Sequence, residues 1–290
     1  MNASDQGNDS VTATSENAGS EFGRTSGGGG ASTIQRDWNN PAIGMFDGVA
    51  QVPGSAKPDP ILVASEVSRS FGGLRAVDVE HVEIQRGAIT ALIGPNGAGK
   101  TTFFNLLTNF DTPDSGRVSF DGENTTGVRS HELASRGMVR TFQLTKVLAK
   151  MSVIDNMKLA GQAQAGESMW RALTNSWREQ ERGVEQRALD VLDEFNMIHM
   201  KDEFAGALSG GQRKLLEMAR AMMAQPRLIM LDEPMAGVNP ALTQSLLGHV
   251  KRLRSEGISV VFVEHDMDVV QDISDWVIVM AEGSVIAEGP

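Results

Sequence analysis

An α/β domain carrying a helical insertion is the fold class that the sequence predicts, and three observations predict it. Short, largely apolar runs recur at Ala88–Ile93, Leu228–Leu231, Ser259–Val263 and Trp276–Met280; such runs suit strands buried on both faces of a parallel sheet. Between about 145 and 206 the periodicity turns helical, with Leu189, Leu192 and Phe195 on one face and Asp190, Asp193 and Glu194 on the other. The run ending at Ile93 feeds a glycine-rich turn and then a second helical pattern. Strands at both ends with helices between them point to one α/β domain with an inserted subdomain.

Taken in order, residues 1–57 hold 10 of the 31 glycines, together with Pro41 and Pro53, and lack hydrophobic periodicity. Such a segment buries too little apolar surface to offset the entropy of ordering it, so a disordered tail is expected. The island Trp38–Phe46 is expected to be incidental to that tail rather than a docking motif. The domain is expected over 58–290, with its helical subdomain at about 145–207. Ile61-Leu62-Val63 opens a strand-like stretch that reaches Phe71, and Val82 and Ile84 alternate with polar neighbours as on a half-buried strand. Thr101–Leu107 reads as a helix and Val118–Phe120 as a further strand. No internal repeat is present.

Composition excludes several classes. The 37 acidic residues exceed the 26 basic ones, a net charge of −11, which argues against a protein whose main task is gripping nucleic-acid phosphates. Cysteine is absent, which rules out disulfides and thiolate metal sites and fits a reducing compartment. No apolar run approaches the roughly 18–20 residues that span a bilayer, and the first thirty residues lack the pattern of a signal peptide. A soluble, acidic, cytosolic protein is expected.

Chemistry begins at Gly94-Pro95-Asn96-Gly97-Ala98-Gly99-Lys100-Thr101, a glycine, four residues, then Gly-Lys-Thr. Glycines at these positions let successive backbone N–H groups point at phosphate oxygens, and the following helix adds its positive end. Lys100 suits the β and γ phosphates of a nucleotide, and the Thr101 hydroxyl suits Mg²⁺. A second constellation, Leu228-Ile229-Met230-Leu231-Asp232-Glu233, is an apolar strand ending in two carboxylates. Asp232 could hold Mg²⁺ through water, and Glu233 could polarise an attacking water. In Leu208-Ser209-Gly210-Gly211-Gln212 the serine fits a helix N-cap and the glycines expose N–H groups.

Together these motifs resemble the ABC transporter ATPases, in which Ser209, Gly210, Gly211 and Gln212 match the family signature. The resemblance covers residues 60–290 and implies a P-loop NTPase of ABC type, with antiparallel strands at the N-terminal side of a mixed sheet. It implies nucleotide contacts from Phe71, which would stack on adenine, and from Gly94, Pro95, Asn96, Gly97, Ala98, Gly99, Lys100, Thr101 and Thr102. Gln143, in Arg140-Thr141-Phe142-Gln143, matches the glutamine that meets Mg²⁺ and the nucleophilic water, and His265, in Val263-Glu264-His265-Asp266, matches the switch histidine. Glu233, His265 and Gln143 would then be catalytic, and Thr101, Gln143 and Asp232 would serve the metal. His81, His131, His199 and His249 are expected at the surface.

The resemblance further implies ATP and Mg²⁺ as ligands and a nucleotide-sandwiching dimer with a second ATPase subunit, the signature closing over the opposite nucleotide. It implies separate integral-membrane permease subunits, an indirect link to a solute-binding protein, and a place on the cytoplasmic face of the membrane. Phe71-Gly72-Gly73, Gly237-Val238-Asn239-Pro240, Glu264-His265-Asp266-Met267 and the polar stretch Trp170–Arg182 are similar to the branched-chain amino acid importer subgroup. Two features depart from the family pattern. Asn239 stands where many members have aspartate, and the sequence ends at Pro290, before the short helical tail of most relatives, which suggests truncation. A lipopolysaccharide-type export ATPase and a non-transport ABC ATPase stay open as alternatives. A GTPase is disfavoured because no Asn-Lys-x-Asp pattern occurs.

Overall fold

The computed structural model describes residues 44–141, 147–162 and 176–290. The expectations for residues 1–43, for Gln143 and for most of the stretch around Trp170 fall outside them. In chain order the strands are β1 (Pro60–Phe71), β2 (Leu74–Gln85), β3 (Ile89–Ile93), β4 (Ser115–Phe120), β5 (Glu123–Asn124), β6 (Met138–Arg140), β7 (Leu228–Asp232), β8 (Ser259–Val263), β9 (Trp276–Ala281) and β10 (Ser284–Gly289). The helices are α1 (Lys100–Leu107), α2 (Ser130–Ser135), α3 (Val153–Gln162), α4 (Ser176–Glu194), α5 (Gly210–Met222), α6 (Pro240–Ser255) and α7 (Met267–Ile273).

Two sheets result. An antiparallel sheet runs β2-β1-β4-β5, and a mixed sheet runs β10-β9-β3-β8-β7-β6, in which only the β10–β9 pair is antiparallel. The continuous apolar runs are explained by burial on both faces. Along β8, Val260 and Phe262 join one core with α3 to α7, while Val261 and Val263 join another with α1 and the antiparallel sheet. Along β7 the same alternation sends Ile229 and Leu231 to the first core and Leu228 and Met230 to the second. Helix α1 is held between the sheets by the buried Phe103, Phe104, Leu106 and Leu107.

Among the described residues α3 and α4 fall within 145–207, and α5 packs against both α3 and α4. The buried stripe leading out of α4 is Ala188, Val191, Leu192 and Phe195, with Leu189 only half-buried, a face rotated slightly from the expected one. His249 is a correction: it is buried rather than at the surface, its ring stacked on Phe195 at 4.3 Å between centroids. Burial, with Arg252 nearby, holds its pKa below the ordinary histidine value. Among the described residues no helix is long and apolar enough to cross a membrane.

The expected boundary at residue 57 also needs correcting, because residues 44–57 pack onto β9 and β10. Phe46 stacks on Trp276 at 4.7 Å, and the Lys57 ammonium sits 4.5 Å from the same ring. Glu288 gathers the rest: its carboxylate accepts from Ser55 N–H at 2.6 Å, Lys57 Nζ at 3.0 Å and Trp276 Nε1 at 2.9 Å. Both charged side chains are shut off from solvent, at 1% and 0% exposure. Composition hid this because a few specific contacts, rather than an apolar stripe, order the segment.

Removing one partner of such a pair leaves the other charge buried and uncompensated, which costs about 3 kcal/mol or more. Lys57→Met is therefore expected to lower the unfolding free energy of the full chain by about 3 kcal/mol in urea titration. Adding Glu288→Gln should recover part of the loss. A change below about 1 kcal/mol for Lys57→Met would refute the clamp.

Candidate functional site

Adjacent parallel strands deliver their C-terminal ends to one edge, where ligands of such sheets collect. In the ladder, Leu92 of β3 is level with Val263 of β8, and Val263 is level with Asp232 of β7. The three loops that follow, beginning at Gly94, Glu233 and Glu264, must therefore meet. They border a cleft of about 620 Å³ lined by Asn96–Thr102, Glu233 and His265, with Leu74–Ala76 and Glu282–Gly283 on its other walls.

The Gly94–Gly99 loop joins β3 to α1 under tight constraint. Gly94 has φ +148° and Gly99 φ +94°, and a Cβ at either would press into a backbone carbonyl oxygen, that of Met280 or that of Ala76. Only glycine fits both the dihedral and the space. Lys100 Nζ donates to the carbonyls of Gly94 at 2.7 Å and Pro95 at 2.9 Å. Burial lowers its pKa against the opposing pull of Glu233 and Asp232. Thr101, in the first turn of α1, is exposed.

Glu233 and His265 meet, with His265 Nε2 3.1 Å from Glu233 Oε1. Glu233 is in the left-handed region at φ +48°, which costs a non-glycine residue about 1–2 kcal/mol. Its N–H donates to Val263 O at 3.1 Å, and its carbonyl accepts from Ala236 N–H at 3.2 Å and Lys214 Nζ at 2.8 Å. Asp232 is buried, and its Oδ2 accepts from Arg140 at 3.0 Å. Arg140 also donates to Asn105 Oδ1 at 2.6 Å, tying β7 to α1. Sequence reasoning passed over Lys214, Glu264 and Arg140. The one available signal was charge set beside apolar runs that had to be buried.

The remaining candidates lie elsewhere. Phe71 ends β1 at 48% exposure, with the Arg69 guanidinium 4.9 Å from its ring, so it is no core residue. Ser209 caps α5 in a reciprocal box with Gln212: Gln212 N–H donates to Ser209 Oγ at 3.3 Å and Ser209 N–H to Gln212 Oε1 at 2.8 Å. Gly210 is exposed, while Gly211 is buried where a Cβ would strike the Leu242 side chain. None of these five lines the cleft. Asn239 accepts from Leu242 N–H at 3.0 Å as the N-cap of α6, a role asparagine fills as well as aspartate.

A glycine cradle, a lysine, and a helix N-terminus opening on a cleft of this size suit a nucleotide polyphosphate. The hydroxyl of Thr101 and the carboxylate of Asp232 are hard oxygen donors of the kind Mg²⁺ takes. Residues 77–236 match the family described as ABC transporter. The chain belongs to that family. Over 79% of this chain and 89% of its own, the probable branched-chain amino acid transport ATP-binding protein LivG of Archaeoglobus fulgidus is 42% identical. BraF of Pseudomonas aeruginosa, a high-affinity branched-chain amino acid transport ATP-binding protein, is 40% identical over 79% of this chain and 91% of its own. A crystal structure of the ADP conformation of an ABC transporter cassette is 38% identical, with a TM-score of 0.70 over 79% of this chain and 91% of that one. The protein is thus an ATP-binding cassette and an ATPase, with a mixed α/β sheet of the ABC type.

Gly99→Ala tests the cradle. The variant is expected to lose about 2 kcal/mol of stability, or, where the loop shifts instead, about tenfold or more in ATP affinity. Thermal melting and titration with a fluorescent ATP analogue read the two. A variant unchanged in both would show that the close approach to Ala76 is not needed.

Proposed function

We propose that this chain is the ATP-hydrolysing subunit of an ABC importer for branched-chain or related amino acids. The observation that carries the mechanism is the Glu233–His265 pair at 3.1 Å on the wall of the phosphate-loop cleft. The naming of the relatives above as branched-chain amino acid transport proteins supports the solute class.

Lys100 Nζ and the N–H groups of the glycine loop bind the β and γ phosphates and take up their charge. Thr101 and Asp232, with Gln143 outside the described residues, would hold Mg²⁺. When bound, that ion neutralises charge on the phosphate oxygens. The Glu233 carboxylate accepts a hydrogen bond from the attacking water and aligns it with the γ-phosphorus. His265, whose Nε2 bonds to the same carboxylate, would donate to the transferring phosphoryl group. Phe71, exposed at a strand end, offers its π face to adenine.

Ser209–Gln212 form a capped helix terminus, exposed at Ser209 and Gly210, that does not line the cleft. That arrangement supports a role on the nucleotide of a second ATPase subunit, closing a dimer. The naming of the relatives as transport ATP-binding proteins supports work through separate permease subunits, at the cytoplasmic face of the membrane. A solute-binding protein would act through those permeases.

Glu233→Gln is expected to keep ATP binding and lose on the order of 10²-fold or more in kcat for phosphate release. Lys100→Ala should instead lose binding. Equal hydrolysis by Glu233→Gln and the parent chain would remove Glu233 from the mechanism. For the solute, the complex that co-purifies with the chain should raise its ATPase rate with leucine, isoleucine or valine. A complex indifferent to all three would overturn the branched-chain solute assignment.

A further inference from the structure

A carboxylate that orients water must be held still, yet Glu233 follows the last residue of β7 in a conformation that its own side chain disfavours. What holds it comes from two directions. From the far side of the cleft wall, Lys214 on α5 reaches the Glu233 carbonyl with its ammonium at 2.8 Å. From the loop after β8, the buried Glu264 accepts from Met235 N–H through Oε1 at 2.9 Å and from His265 N–H through Oε2 at 3.1 Å. One carboxylate therefore staples the loop that carries Glu233 to the residue that carries the histidine ring. The ammonium fixes the turn at the start of that loop.

We propose that Lys214 and Glu264 are positioning residues for ATP hydrolysis, holding Glu233 against His265 and making that geometry depend on where α5 lies. The inference rests on the functional reading given above and deepens it. Neither residue lines the cleft, and neither touches the nucleotide in that reading. Lys214 stands two residues beyond Gln212 on the same helix, and α5 packs on α3 and α4. A displacement of the helical insertion moves the ammonium and so releases or restores the left-handed turn. Burial lowers the Lys214 pKa, while the neighbouring carboxylates of Glu264, Glu217 and Glu233 pull the other way and favour its charged form.

The test uses the full chain and reads ATP affinity apart from turnover. Lys214→Met and Glu264→Gln should each lose about tenfold or more in kcat while the ATP dissociation constant stays within about twofold, because misplacement touches the reacting geometry and spares the phosphate cradle. Lys214→Arg, which restores a cationic donor, should recover most of the rate. Lys214→Met should add little to the loss already caused by Glu233→Gln. Turnover within about twofold of the parent in both single variants would overturn the proposal, as would a full multiplicative loss in the double variant. Should Glu264→Gln fail to fold, the Lys214→Met and Lys214→Arg pair decides alone. The functional reading fails separately, when Glu233→Gln hydrolyses ATP like the parent; the brace alone fails when Glu233→Gln is inactive and Lys214→Met is not.

Discussion

Hydrogen bonds across β3, β8 and β7 set Leu92, Val263 and Asp232 at one level of the sheet, and the chemistry depends on that register. Because the strands are parallel, each ends on the same edge and hands over to a loop there. A slip of one residue in β7 would send Asp232 and Glu233 to opposite faces from those they now occupy. The two cores guard against such a slip. Ile229 and Leu231 are committed to one face and Leu228 and Met230 to the other, so the register of four buried side chains fixes the position of two carboxylates.

Charge is managed locally rather than globally. A chain with net charge −11 binds a strongly anionic ligand, which would be paradoxical if surface charge were the agent of binding. Instead the cleft presents backbone N–H groups and a lysine whose burial lowers its pKa against the pull of Glu233 and Asp232. Asp232 in turn is paired with Arg140, both nearly shut off from solvent. Such a pair contributes little net stability. Its value is geometric, since Arg140 also grips Asn105 of α1 and holds the helix of the phosphate loop beside the strand that ends in Asp232.

Much of this was legible in sequence wherever one physical demand selects one residue type. Glycine at Gly94 and Gly99 is demanded by positive φ and by close carbonyls, and apolar runs are demanded by burial on two faces, so loop and strands could be read directly. Ser209 capping α5 followed from its type and place. Where the demand is distant in sequence, reading failed. Lys57 and Glu288 are 231 residues apart, and nothing local marks either as buried. His249 looks like any surface histidine until Phe195 is placed against it. Lys214 and Glu264 look like solvated charges for the same reason.

The stretch that matches the family, residues 77–236, does not by itself complete the cleft, and this explains why the ends of the described chain are so firmly tied. Walls come from Leu74–Ala76 before it and from His265 and Glu282–Gly283 after it. The β9–β10 turn is the fastening: Gly283 N–H donates to Ala98 O of the phosphate loop at 3.0 Å, and Gly283 O accepts from Asp78 N–H of β2 at 2.8 Å. That turn can brace the loop only if β10 stays on β9. Lys57 and Ser55 secure it by bonding Glu288, a residue of β10 that also bonds Trp276 of β9. A segment whose composition looked idle thus belongs to the chain of contacts that keeps the phosphate loop in shape.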